Sequence, residues 1–569
     1  MITESEFKMG GSCPHKVLHL RDGLPKNEDA FAAWMAAEAG QFRSAARHLF
    51  KDAVEISART HDARVRETIE RVAQGQTVFD ATLATHDATC RCDVLKPDGP
   101  VLRLYQFVAR PVDLERHRFG LEFTGSSGWL RREWRGTFEL YAFRIEIAKA
   151  LFPKFAIVPS LVVPVTGVPV EAEGLHAGFN GDSDKWSCDD ATACAAEPLI
   201  RFIHVGDKCA SVAPAIAGKR DRLQAFLNAP TEPSIGYGCK KCEFRVAGVQ
   251  SGFDRCWGPL AAVTPSMYDL GYMYFIQDEN GKPVADRLAR EGKVGLHDVP
   301  RDRIVGEYAE RQLMQLDGAL SNRETLLPEL REVLDSVAYP LICLDIETFR
   351  SWLPAHRGGT VNELILFQFS THIREEPQGE FRHASWLNTE PSHPNQRFLT
   401  ALRATLGDTG TVCVWTGYEE SSFKELLTEL IGKGGDEADL LWLRRFLVSD
   451  RILDLHALCF KYHFHPLMKG RTSIKSVLPA LWSVDSPAKR RMPYAAFPAD
   501  TDPYAALKSK GAIADGIMAM EGYLEQLASA GPAKDASVAA LEHYCYVDTL
   551  AMCYILDYWG WALEMQREP

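Results

Sequence analysis

Between residues 28 and 75 apolar positions recur at helical spacing in an alanine-rich stretch, "EDAFAAWMAAEAGQFRSAARHLF". From 78 to 112 they alternate like hairpin strands, with "PDG" at 97–99 as the turn. Helical spacing returns at 137–152, and a β-branched run follows at 155–170. The polar, glycine-rich insert at 172–197 predicts a loop, and a cysteine-rich segment at 239–257 closes a first unit near 260. Residues 263–335 read as a mainly helical connector, in which 285–304 is either a helix–turn–helix pair or a spacer. Two apolar runs, "YPLICLDIETF" and "ELILFQFSTHI", then predict adjacent buried strands within 338–373, and "TVCVWTG" (411–417) predicts another. Helical patterns follow at 419–432, 436–448, 512–530 and 535–563. Strands first and helices later describe an α/β domain. A chain of 569 residues is too long for one core. The predicted fold class is therefore α/β multidomain: 1–262, a connector at 263–335, and 336–569. No internal repeat or low-complexity tract interrupts the pattern.

Composition changes this picture little. With 46% hydrophobic and 25% charged residues, the chain reads as an ordinary globular protein. The net charge of −12 supplies no long-range attraction for nucleic acid. Local basic stretches, "WLRREWR", "CKKCEFR" and "AKRRM", keep such binding open, although each also fits a solvated face. The first residues, "MITESEFKMGGSC", lack the apolar core of a signal peptide. The most apolar run, 155–170, is broken by prolines and reads as strand, not as a membrane span. The expected compartment is cytoplasmic, with no membrane partner. There the fourteen cysteines are not expected to form a disulfide framework, and Cys343, Cys413 and Cys545 read as buried thiols.

The remaining cysteines carry a pattern. Cys239 and Cys242 stand at the CxxC spacing that aims two thiolates at one ion, Cys256 follows, and Cys13 lies far upstream. Four thiolates suit zinc or an iron–sulfur cluster; unrelated thiols are the alternative. One cysteine before and three after a core resembles the RecB-like nucleases of the PD-(D/E)XK superfamily that bind a [4Fe-4S] cluster. The resemblance implies a cluster that pins the chain rather than one that moves electrons. The gap from Cys242 to Cys256 is long for that pattern. The same family needs an Asp and, on the next strand, Glu-x-Lys to hold a metal. Asp93, in "CRCDVLKPDG", matches the Asp, but Gln106 and Val108 stand where Glu and Lys belong. The expectation for 1–262 is a catalytically degenerate nuclease fold with a binding role.

In "LICLDIETF", Asp345 and Glu347 are two residues apart on a strand, so both point to one face. Two carboxylates there repel and lose hydration, which a cation between them offsets; hard oxygen ligands suit Mg²⁺ or Mn²⁺. An edge strand with a solvated acidic face is the alternative. In "LEHYCYVDTLAM", Tyr544 and Asp548 are four apart on a predicted helix and share a face. "LDIET" and this Tyr-x-x-x-Asp spacing resemble the first and third motifs of DnaQ-like 3′–5′ exonucleases. Their second motif resembles "VCVWTGYEESSFKELL", with Glu419 where Asp is usual and Glu420 as the adjacent alternative. "SDRILDLHAL" adds Asp454 as a further ligand or as a group that fixes a neighbour, and "TSIKSV" adds Lys475 as a phosphate contact or a surface lysine. His456, His463 and His465 form no convincing zinc set, and the last two read as loop or surface residues.

Together "YPLICLDIETF", "LFQFSTH", "GYEESSFKEL", "RILDL", "TSIKSVLPAL" and "YCYVDTLAM" resemble a bacterial family of unknown function. That family joins a RecB-like region to a DnaQ-like domain of ribonuclease H-like fold. The resemblance implies that Asp345, Glu347, Glu419 and Asp548 hold two divalent ions about 4 Å apart. Tyr544 then orients the attacking water at a nucleic-acid end, expected to be single-stranded DNA or RNA. Two other readings stay open: a nucleic-acid-binding or scaffolding protein without turnover, and a redox sensor.

Overall fold

The computed structural model describes residues 1–27, 29–181, 186–377, 379–509 and 512–567. It is an α/β multidomain chain built on mixed sheets. Residues 1–233, 243–255 and 350–363 form one compact unit; 234–242, 256–349 and 364–569 form the other. The connector expected at 263–335 thus belongs to the second unit. It is built of short helices, Val284–Arg290, Ala309–Ser321 and Leu330–Asp335, with single turns between. The stretch 285–304 is one helix, a left-handed Gly292 and two 3₁₀ turns, so no second helix follows.

The first unit carries strands β1 (Ile2–Thr3), β2 (Val54–Glu55), β3 (Val78–Ala84), β4 (Ala88–Asp98), β5 (Val101–Phe107), β6 (Ala156–Pro164) and β7 (Ile200–His204). The order is β2-β3-β4-β5-β6-β7, and β1 pairs in parallel with β4. The hairpin β4–β5 turns at Gly99, whose φ of 57° is open to glycine at no steric cost. Helices α1 (Glu4–Gly10), α2 (Ala30–Arg47), α3 (His61–Ala73), α4 (Arg132–Leu151) and α5 (Gly206–Asn228) complete this unit's frame. Its core joins Phe138, Tyr141 and Ile147 of α4 to Leu83, Cys92, Leu104 and Leu161 of the sheet. The insert expected as a loop contains a two-stranded ladder, Phe179–Asn180 with Ser187–Cys188, and a helix, Asp190–Ala196; residues 182–185 lie outside the described ones.

The segment 350–363 joins the first unit through a second core, where Trp352 packs against Phe42 and Phe179. Buried Glu38 of α2 accepts from Ser351 Oγ at 2.7 Å and from the Trp352 amide at 2.8 Å.

In the second unit the strands are β8 (Leu341–Phe349), β9 (Ile365–Arg374), β10 (Arg382–Leu387), β11 (Thr411–Val414) and β12 (Ile452–Asp454), in the order β10-β9-β8-β11-β12. The first three are mutually antiparallel, and β11 and β12 run parallel to β8. Central position, with helices on both faces, explains why β8 and β9 read as continuous apolar runs. One face packs on α6 (Asn395–Leu406), α7 (Tyr418–Lys433) and α8 (Glu437–Leu447), through Phe398, Leu402, Phe423 and Trp442. Further on are α9 (Leu455–Tyr462), α10 (Ile474–Trp482), α11 (Pro503–Ser509), α12 (Gly516–Ala528) and α13 (Pro532–Met565). The long α13 lies against β8 and β9 and is buried along most of its C-terminal half. No helix among the described residues is long and apolar enough to cross a membrane.

Glu38 predicts a measurable anchor. Glu38→Ala leaves the Trp352 amide and the Ser351 hydroxyl without their acceptor, at about 1–3 kcal/mol. The expected result in urea unfolding is a lower midpoint together with faster tryptic cleavage at exposed Arg357. Cleavage at the wild-type rate would show that Glu38 does not hold this segment.

Candidate active site

β8 carries Asp345 and Glu347 into the middle of the second sheet, opposite Ser370 and Gln368 of β9. The register slips by a bulge just after Glu347, where the strand turns toward its end. Glu347 is buried and Asp345 half-buried, so the edge-strand alternative does not apply. β11 ends at Val414, and the turn through Gly417 opens α7 with Glu419 in its first turn, where a carboxylate meets the positive end of the helix. Glu419 points inward at 4% exposure, whereas Glu420 is half-buried and pairs with Lys424 at 2.5 Å. Parallel register sets Asp454 beside Val414, at the C-terminal end of β12. On α13, Tyr544 and Asp548 are both buried.

Two of these elements, β8 and α13, meet tightly. One ligand atom from each of Asp345, Glu347 and Cys545 lies within 4.8 Å of the others. The Cys545 thiol lies 3.4 Å from Asp345 Oδ2 and donates to it. Burial pushes the Asp345 and Glu347 carboxyls far above the carboxylate range, and the charge of Asp548 adds to both. Burial raises Glu419 to about 8, with Asp454 and Asp548 adding repulsion. Asp548 is raised by burial but drawn back by the Lys475 ammonium and by the hydroxyls of Tyr504 and Tyr544. Glu419 Oε2 is buried without a hydrogen-bond partner among the described residues. A buried carboxylate oxygen with nothing to accept from, in a cluster of like charges, is the donor set that a hard divalent cation satisfies. Asp345 and Glu347, whose ligand atoms come together, fit such an ion, and Glu419 and Asp548 act on that pair through charge.

Lys475, at the start of α10, donates to the Tyr544 hydroxyl at 3.0 Å and to the Ala514 carbonyl at 3.1 Å. Burial, then the nearby carboxylates, holds the Tyr544 phenol far above its usual range, so it remains a proton donor. Asp454 uses Oδ1 to cap α9, accepting from the Ala457 amide at 2.8 Å, and acts on Glu419 through charge. Tyr504 was not legible from sequence. It is 5% exposed, lies on α11, and its hydroxyl donates to Asp548 Oδ1. The only local signal is Asp502-Pro503, a helix start, which says nothing of the partner.

The histidines are elsewhere. His463 is not a loop or surface residue: it is fully buried, bonded to Glu324 at 2.7 Å and accepting from the Trp559 indole at 3.1 Å. Its alternating, proline-flanked context hides that it forms a two-residue strand paired with Thr325–Leu326. His465 is half-buried, and His456 bonds Thr472 at 2.7 Å.

In the first unit Asp93 is buried on β4 and accepts from the Phe107 amide at 2.8 Å. Its charge is met by the Arg43 guanidinium of α2, which also binds Asp80. Gln106 leaves its Oε1 buried without a partner among the described residues, and Val108 packs into the core. Cys13 lies between α1 and the helix His15–Arg21. Cys239 and Cys242 sit on one 3₁₀ turn, closed by a Cys242 amide to Cys239 carbonyl bond of 3.2 Å, and Cys256 lies in the helix Gly252–Trp257. All four are half-buried, and no cysteine is in a disulfide.

A family model for a domain of unknown function (DUF2779) matches residues 342–473. The match takes in Asp345, Glu347, Glu419 and Asp454 and ends before Lys475, Tyr504, Tyr544 and Asp548. No curated protein matches the chain.

The raised Glu419 sets a pH dependence. An acid whose native pKa lies above its unfolded value stabilises fully below the unfolded value. That contribution is lost as pH rises from 4.5 to about 8. In EDTA, wild-type unfolding free energy is expected to fall across this window, and to fall less in Glu419→Gln. Added Mn²⁺ is expected to raise the melting temperature most at the upper end, where the acids are ionised, and Asp345→Asn to remove that rise. A Glu419→Gln profile parallel to wild type would refute the buried-acid account.

Proposed function

We propose that this chain is a metal-dependent nuclease, a 3′–5′ exonuclease that hydrolyses phosphodiester bonds at single-stranded ends of DNA or RNA. The observation that carries the reading is the close approach of Asp345 and Glu347 in a buried place where the charges of Glu419 and Asp548 also act on them, with the Glu419 Oε2 unpartnered among the described residues. The strand order β10-β9-β8-β11-β12, three antiparallel strands and then two parallel ones, supports a ribonuclease H-like second unit. The four acids would hold the Mg²⁺ or Mn²⁺ ions. Bound there, divalent ions supply a nucleophile of lowered pKa and charge stabilisation for the leaving oxygen.

The protein's own groups do the rest. Tyr544 presents a phenol that stays protonated, and so positions an attacking water by hydrogen bonding. Lys475 holds that phenol at 3.0 Å and brings a positive charge to the place where a phosphate would lie. Tyr504 fixes one oxygen of Asp548, which leaves the other for a ligand. Asp454 is a positioning residue that keeps α9 at the end of β12.

For the first unit, the PD-(D/E)XK reading implies binding without hydrolysis. Arg43 neutralises Asp93, and neither Gln106 nor Val108 offers a charged ligand. This favours, for that unit, the second reading of a nucleic-acid-binding part. From sequence order alone, Cys13, Cys239, Cys242 and Cys256 support a [4Fe-4S] cluster, or zinc in its place.

Purified protein with Mn²⁺ is expected to shorten 5′-labelled single-stranded DNA or RNA from the 3′ end. Asp345→Ala is expected to abolish this, and Tyr544→Phe to slow it by about 10²-fold. Equal inertness of wild type and Asp345→Ala on single- and double-stranded substrates would overturn the nuclease reading. Separately, protein purified without oxygen is expected to absorb near about 400 nm and to contain iron, and Cys239→Ala to lose both. Zinc with no such band would assign the alternative metal; neither metal would remove the cluster.

A further inference from the structure

The first unit holds a cavity of about 780 Å³, of the size that takes a small ligand. Four permanent cations line it: Lys8 of α1, Arg59 just before α3, Arg64 of α3 and Arg91 of β4. Glu4 is the one acid in the lining, and its carboxylate is taken by Arg144. The chain as a whole carries −12, so this concentration of positive charge runs against its average.

The cations are not answered from within. Lys8 and Arg59 make no side-chain hydrogen bond or ion pair among the described residues. Arg91 reaches only Asp80, at a loose 3.9 Å. Arg64 donates to the carbonyls of Ile56, Ala58 and Asp80 and to Thr82 Oγ1. All four acceptors are neutral, so its charge stays uncompensated while its position is fixed. The other wall is ordered as well, because His61 Nε2 holds Thr89 Oγ1 at 2.9 Å. Arg59 and Arg91 thus present planar N–H forks beside a fixed positive charge, the arrangement that suits phosphate oxygens.

We propose that this cavity binds the phosphate group of a nucleotide-sized phosphate ester, with Arg59 and Arg91 as direct ligands, Lys8 as a further cation and Arg64 as the fixed charge behind them. Neither Asp93 nor Arg43 lines the cavity, although Asp80 reaches both Arg43 and Arg91, and the site does not depend on the acidic cluster of the second unit. A free nucleotide and the phosphorylated end of a strand offer the same chemistry.

The test uses the full-length chain in EDTA, which silences metal-mediated binding at the acidic cluster. The probes are ADP, a fluorescent single-stranded hexamer with a 5′-phosphate, and the same hexamer without it. The phosphorylated probes are expected to bind saturably and to weaken with salt, and Arg59→Glu/Arg91→Glu to raise their Kd by about tenfold or more. Arg66→Glu, an exposed change on α3 outside the cavity, is expected to leave binding unchanged. Both substituted side chains of the double variant are exposed, so its melting temperature is expected to match wild type; should it unfold, Arg59→Gln alone carries the comparison. ADP binding as tightly as the strand assigns a free nucleotide, and preference for the phosphorylated hexamer assigns a strand end. No saturation by any phosphorylated probe up to about 1 mM, or wild-type affinity in the double variant, overturns the proposal.

Discussion

Four carboxylates that repel one another, three buried and one half-buried, are the constraint around which the second unit is arranged. Two ionised carboxylates about 4 Å apart repel by roughly 4 kcal/mol at an effective dielectric near 20, and burial adds the loss of hydration. Such a group persists in a fold only where the surrounding scaffold is strong enough to hold it. Here the scaffold is a central strand with hydrogen-bonded neighbours on both sides and apolar helices on both faces. The acids come from β8, from the first turn of α7 and from α13, so no single element carries the whole strain. Phe423, Leu426 and Leu430 lock α7 on the sheet behind Glu419, and Val547, Ala551 and Ile555 lock α13 behind Asp548.

That strain also explains the neutral and cationic groups around the cluster. Tyr504, Tyr544 and Cys545 each bring a proton, and Lys475 brings a charge. None of them neutralises Glu419, whose Oε2 has no partner among the described residues. The protein relieves the repulsion in part, by protonation and by hydrogen bonds, and on the proposed reading the remainder is what a bound cation would relieve.

The elements that bury both faces were legible. β8 and β9 read as strands because continuous apolar runs leave no other arrangement, and the i, i+2 spacing of Asp345 and Glu347 followed from the strand. Tyr544 and Asp548 were paired by helical spacing, and Glu419 was separated from Glu420 by the register of Phe423. The edge strands β7 and β10 were not legible. Arg201, Phe202 and His204, and Arg382 and His383, are exposed, so alternation is lost where one side of a strand meets water. Contacts between residues far apart in sequence were also hidden. Nothing in "TDPYAAL" points to Asp548, nothing around Ala30–Arg47 announces Arg43 as the partner of Asp93, and nothing in "TFRSWL" announces that the chain crosses into the first unit to meet Glu38.

The two units answer a buried acid in opposite ways, and the contrast bears on what each can do. Asp93 has an arginine, the one side chain that stays charged at any ordinary pH, together with a backbone amide. A guanidinium paired with Asp93 opposes a divalent ion by charge at that position. The acids of the second sheet are met, among the described residues, by phenols, a thiol and one ammonium rather than by a guanidinium. In the first unit the uncompensated charge is positive and lies elsewhere, at Lys8, Arg59, Arg64 and Arg91. On the readings proposed above, one unit would attract anions without a metal, and the other would attract a metal that in turn attracts anions. A phosphate-containing substrate would satisfy both demands, so the two proposals point to one class of ligand.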